Sequence, residues 1–112
     1  MMTKDRTMDD YLRAGAWMRL LKAVFAQTYI ECSKVMNKSE YEGKMHSAEK
    51  KILSVCSQAE DNMFIDFPKL DSDYTDAFYG SPSVNRSKVD EEQIERMTSY
   101  IIKLFGNNWR TK

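Results

Sequence analysis

The chain has 112 residues, of which 42% are hydrophobic and 30% charged, with seventeen basic and seventeen acidic side chains for a net charge of zero. That length supports one domain with one modest core, and neutrality removes any strong pull towards nucleic acid or an anionic membrane. No segment approaches the ~20 consecutive apolar residues of a membrane span, because Arg19 and Lys22 interrupt the best candidate, and residues 1–6 lack the apolar run of a signal peptide. A cytoplasmic location, with Cys32 and Cys56 reduced, is therefore the expectation.

The first predicted element is a helix over residues 8–36, a stretch without proline and with one glycine. Thr7 is placed to cap it, and Asp9 and Asp10 complement the positive end of its dipole. At 100° per residue Ala14, Trp17, Met18, Leu21, Val24, Phe25, Cys32, Val35 and Met36 form one broad apolar stripe. Leu12, Ala16, Leu20, Ala23, Ala26 and Ile30 lie on the other side, among Arg13, Arg19, Lys22, Gln27 and Lys34. A surface helix normally buries one stripe and solvates the rest. This one is expected to be central to the fold or to lie in an interface, with Leu12, Ala16, Leu20, Ala23 and Ile30 as the interface residues and the alanines permitting close helix approach.

Asn37-Lys38-Ser39 offers a turn, and Ser39 with Glu42 makes a capping box for a second helix over residues 39–61. Tyr41, Met45, Ala48, Ile52, Val55, Ala59 and Met63 follow spacings of three and four. The short connection predicts that the two helices form a long antiparallel hairpin.

Residues 62–86 change character. Phe64, Ile65, Phe67, Leu70, Tyr74, Phe78 and Tyr79 are interleaved with aspartates, while Pro68, Gly80 and Pro82 forbid one continuous helix. A short helical turn over 72–79, capped by Asp71 or Ser72, is compatible with the pattern. Residues 60–83 carry one basic and six acidic side chains, between flanks of net +3 and +2. Two readings follow. The segment is a docking surface with Phe64, Phe67, Tyr74, Phe78 and Tyr79 as anchors, or it folds back over Arg19, Lys22 or Lys51 and buries its rings. The second is preferred, because a small core needs those rings.

A third main helix is predicted over 88–105, starting near Ser87, with Asp90, Glu91 and Glu92 early in it. Val89, Ile94, Met97, Ile101, Leu104 and Phe105 form its apolar face, and Gly106 lies where a left-handed residue ends a helix. Residues 107–112 read as a tail that Trp109 would anchor given a groove. The whole is a single all-α domain.

No catalytic, cofactor or metal motif stands out. His46 is the only histidine, and Cys56 lies ten residues further along the same helix, about 15 Å away. Cys32 could approach His46 across the hairpin as a thiolate–imidazole pair, but a boundary histidine with two core cysteines is the preferred account. Asp71 to Asp76 resembles the start of a calcium loop but has Asp76 and Pro82 where that loop requires glycine and a carboxylate. Met18, Met36, Met45, Met63 and Met97 fall on apolar faces, as core filling requires. The expected function is non-enzymatic protein–protein association, through a homodimer. The alternative weighed is nucleic-acid binding by the basic arc Arg13, Arg19, Lys22 and Lys34.

Overall fold

The computed structural model describes residues 5–80 and 86–106. Among these the chain is all-α, with no strand. Helix α1 spans Met8–Ser33, α2 Lys38–Asp66, α3 Asp76–Tyr79 and α4 Lys88–Phe105, with a 3₁₀ turn at Ser72–Thr75 before α3.

The helix starts are built from the local chemistry the sequence displays. The Thr7 side chain accepts from Asp10 N–H at 3.1 Å while the Asp10 carboxylate accepts from Thr7 N–H at 2.9 Å. Two otherwise orphaned donors are satisfied reciprocally, and these bonds hold the Asp10 carboxyl below its ordinary range. Ser87 caps α4 by accepting from Asp90 N–H at 3.0 Å. Gly106 ends that helix at φ +73°, a region L side chains avoid.

Three boundaries differ from expectation. Helix α1 stops at Ser33, where the N–H groups of Val35 and Met36 both turn back to Cys32 O. The next helix starts at Lys38 with Asn37 as its cap, because Glu40 reaches back to accept from Asn37 N–H at 2.6 Å. It also runs on to Asp66, five residues past the expected end, since nothing breaks it before Pro68. The residue preceding that proline is excluded from helical geometry, and Phe67 stands at φ −131°, ψ 74°.

Contacts between α1 and α2 pair in opposite sequence order. Near the turn the rings of Tyr29 and Tyr41 meet edge to face at 5.7 Å, Lys22 faces Cys56 midway, and Arg6 and Tyr11 reach Asp66 at the far end. The core is small: Tyr11, Ala16, Cys56, Met63, Ala77, Phe78 and Val89, flanked by half-buried Met8, Leu12, Met18, Ala59, Phe64, Phe67, Leu70 and Tyr74. Helix α3 sits against α1 at Gly15, where an added Cβ would lie 2.3 Å from Ala77 O.

Much of the broad apolar stripe does not face the core, although Met18 packs against it. Trp17, Leu21 and Val24 are exposed, and α1 buries Tyr11, Gly15 and Ala16 instead. The reason is what α1 receives. Close seating of the α3 backbone needs a residue without a side chain, which the larger apolar positions cannot offer.

Tyr11 donates a short hydrogen bond to Asp66, which also pairs with Arg6 Nε at 2.8 Å. Burial and this bond push the Tyr11 hydroxyl up to about 12, while the bond and Arg6 pull the Asp66 carboxyl below its ordinary range. The raised tyrosine contributes stability that is complete below its unfolded value near 10 and is lost as pH climbs towards about 12. The lowered carboxylate contributes stability that is present above its unfolded value near 4 and is lost as pH falls through its folded one. Tyr11→Phe should therefore remove one late-titrating tyrosine from an ultraviolet titration and move the acid-unfolding midpoint to higher pH. An unchanged acid limb would mean the pair does not couple to folding.

Candidate interaction surface

Each element sets one part of the surface. Asp76 and Phe78 turn their carbonyls towards α1, and α1 answers with two cations. Arg19 Nη1 donates to Asp76 O at 3.1 Å and pairs with the buried Asp90 carboxylate at 2.8 Å. Lys22 Nζ donates to Phe78 O at 2.7 Å, lies 3.5 Å from Cys56 Sγ and sits 4.2 Å from the centroid of the Tyr79 ring. Gln93, fully buried on α4, donates through Nε2 to Leu12 O at 2.8 Å and to Ala77 O at 2.9 Å. Ser87 Oγ donates to Asp76 Oδ2 at 2.5 Å, joining the start of α4 to α3. The bonds to Ala77 O and Phe78 O satisfy carbonyls that α3 is too short to satisfy itself, whereas Asp76 O also accepts from Gly80 N–H at 3.2 Å.

Fixed in this way, α4 leans on α1 and leaves a groove of about 550 Å³ between them, lined by Trp17, Leu20, Leu21, Val24, Ile101, Leu104 and Phe105. All seven linings are apolar. Trp17 stacks on Tyr100 with ring centroids 4.5 Å apart and planes within 3°, making a rigid aromatic wall. Val24, Leu104 and Phe105 keep 56%, 57% and 65% of their surface exposed. Scattered exposed apolar residues need no explanation, but a contiguous patch rimmed by polar groups marks an interaction site.

The expected interface residues separate in the structure. Leu20 lines the groove, and Ala23 and Ile30 are exposed, whereas Ala16 is fully buried and Leu12 packs against the core. Ala16 is thus taken up within the chain. The groove residues beyond Leu20 come from the stripe assigned to the core and from the end of α4. A juxtaposition of two helices 80 residues apart leaves no trace in either helix's own periodicity.

The aromatic segment folds back on Arg19 and Lys22. Phe78 has no exposed surface, Phe64, Phe67 and Tyr74 pack on the core, and Tyr79 is exposed on one face with Lys22 over its ring. Burial pushes the Tyr79 hydroxyl up to about 12. Lys51 is exposed.

The basic arc is occupied internally. Arg13 pairs with Asp9 and Asp10, Lys34 lies 3.4 Å from Glu31, and Arg19 and Lys22 hold the α3 segment. His46 is exposed while Cys56 is fully buried and Cys32 half-buried. Among the described residues no group of three or more His, Cys, Asp or Glu is arranged to hold a metal ion, and no helix is long and apolar enough to cross a membrane. Trp109 lies outside the described residues. The chain matches no family model, no curated protein and no solved structure.

Proposed function

We propose that this protein acts by protein–protein association rather than by catalysis, with the α1–α4 groove as the docking surface and a second copy of the chain as its first partner. The observation that carries the reading is the groove itself: seven apolar side chains from two helices, open to solvent. A stable interface needs about 800 Å² from each partner, which is more than the lining of the groove alone supplies. The exposed apolar residues on the neighbouring turns, Ile102 at the end of α4 among them, extend it towards that size. Two copies carry no net charge and so meet without repulsion. A cytoplasmic setting fits the reading.

Light scattering during size-exclusion chromatography, from micromolar to millimolar protein, tests it. A mass rising towards twice 13.1 kDa is expected. Leu21→Glu with Leu104→Glu places charges on opposite walls at exposed positions, so helical circular dichroism should survive while the mass returns to the monomer. A wild-type mass that stays monomeric throughout, or a charged double variant that still dimerises, would sink the assignment.

A further inference from the structure

We propose that the α1–α4 groove of one copy receives Ile30 of the other, the two α1 helices lying antiparallel about a two-fold axis near Phe25; this rests on the groove being the docking surface and a second copy its partner. The two helices that wall the groove run in the same direction. Arg96 reaches Asp9, Tyr100 stacks on Trp17, and Leu104 and Phe105 line the groove with Val24. There α4 ends, at Phe105, while α1 runs nine residues beyond Val24 to Ser33. None of residues 21–55 is buried, so this end of the α1–α2 hairpin has little core of its own. Short helical stretches draw their stability from packing an apolar face.

Spacing places the exposed residues. Leu20, Ala23, Gln27 and Ile30, at intervals of three, four and three, share one face of α1. Leu20 lines the groove, Ala23 and Gln27 are exposed, and Ile30 keeps 51% of its surface exposed. One face thus carries a receptor at one end and a free branched side chain at the other, about 15 Å apart along the axis. Turning a second α1 through a half-circle about the midpoint sets Ile30 of each copy against Leu20 of the other and fills both grooves at once. Ala23 on both helices lets the axes approach to the short end of the usual 8–10 Å spacing. Gln27 Nε2 donates to Glu31 at 2.9 Å, which makes a polar rim beside the contact. Area favours this arrangement over groove against groove. A stable interface takes about 20–30 residues a side, and the groove supplies seven. Two grooves face to face leave both unfilled, whereas the exposed end of α1 fills the groove and adds its own turns. The patch is then self-complementary and closes as a pair; a groove filled by an unrelated patch would propagate into open chains.

Full-length chains carrying Leu20→Cys and others carrying Ile30→Cys, all with Cys32→Ser, are mixed under mild oxidation at a concentration where wild type is dimeric. Disulfides between the two kinds of chain should form several-fold faster than those within either kind alone, because like positions in the antiparallel pair lie about 15 Å apart along the axis. Ile30→Glu should raise the concentration of half-dimerisation about tenfold or more with helical circular dichroism unchanged; Ile30→Ala replaces it if helix is lost. Val55→Glu, on α2 at a position 59% exposed, should leave that concentration unchanged. Faster bridging between like chains overturns the proposal, since the helices are then parallel. So does a dimer that survives Ile30→Glu, or one lost equally in Val55→Glu. Those results leave the groove reading standing, because Leu21→Glu with Leu104→Glu tests it separately. A wild-type mass that stays monomeric sinks both, and a mass that climbs past twice 13.1 kDa overturns the closed pair alone.

Discussion

Gly15→Ala should destabilise the fold by about 2–4 kcal/mol, read as a lower urea midpoint with an unchanged slope. In an ordinary helix the same change helps, by about 1 kcal/mol. Here the new methyl carbon would stand 2.3 Å from Ala77 O and 2.9 Å from Ala77 C, both backbone atoms that no rotamer change can move. Helix α3 must lift off α1. The lift stretches the bonds from Arg19 to Asp76 O, Lys22 to Phe78 O and Gln93 to Ala77 O, whose donors are buried or half-buried with few alternatives. An unmade buried hydrogen bond costs about 1–3 kcal/mol. Gly43 in α2 is the control. A Cβ there meets nothing within 4 Å, and Gly43→Ala should raise stability by about 0.5–1 kcal/mol through propensity alone. If both variants gain stability, α3 is not seated on Gly15.

Gly15 also shows what a linear pattern conveys and what it hides. The starts of α1 and α4 were legible because a cap is local: Thr7 with Asp10, and Ser87 with Asp90, are three residues apart, whereas the start of α2 uses Asn37 with Glu40 in place of the expected Ser39 with Glu42. The all-α class and the span of α4 followed from periodicity and from Gly106. The core side of α1 was not legible, since it runs through Gly15 and Ala16 with Arg19 and Lys22 beside them. Periodicity ranks helix faces by large apolar side chains, and these residues are selected for lacking bulk or for reaching a carbonyl. Their partners, Asp76 O, Ala77 O and Phe78 O, are backbone atoms that every residue carries, so no side-chain pattern announces them. The folding back of the aromatic segment was legible from its rings, which a small core needs, although Arg19 and Lys22 meet it at the carbonyls of Asp76 and Phe78 rather than at its acidic side chains. The groove was not, because Trp17, Leu21 and Val24 look the same in a wheel whether a core or an open groove faces them.

Asp90→Ala should cost about 3–5 kcal/mol, the range for stripping one partner from a buried ion pair. The Asp90 carboxylate is fully buried, 2.8 Å from Arg19 Nη1 and 3.1 Å from Arg86 Nη1. Arg19 is itself largely covered, and its remaining acceptor at Asp76 O is neutral. Removing the carboxylate thus leaves a desolvated cation facing a carbonyl. Replacing both charges by apolar groups is often nearly neutral in a buried pair, but Arg19 also holds α3, so Arg19→Met with Asp90→Leu should remain clearly less stable than wild type. That difference separates a clamp from an isolated pair, and urea unfolding of the single and double variants measures it. The same clamp holds α4 against α1 and so shapes the groove. Arg86→Ala, which removes only a half-exposed partner, should cost less than about 1 kcal/mol and leave self-association intact. In Asp90→Ala at a concentration where it remains folded, self-association should weaken with α4 loosened although no groove residue has changed. If stability falls and dimerisation does not, the interface lies elsewhere than between α1 and α4.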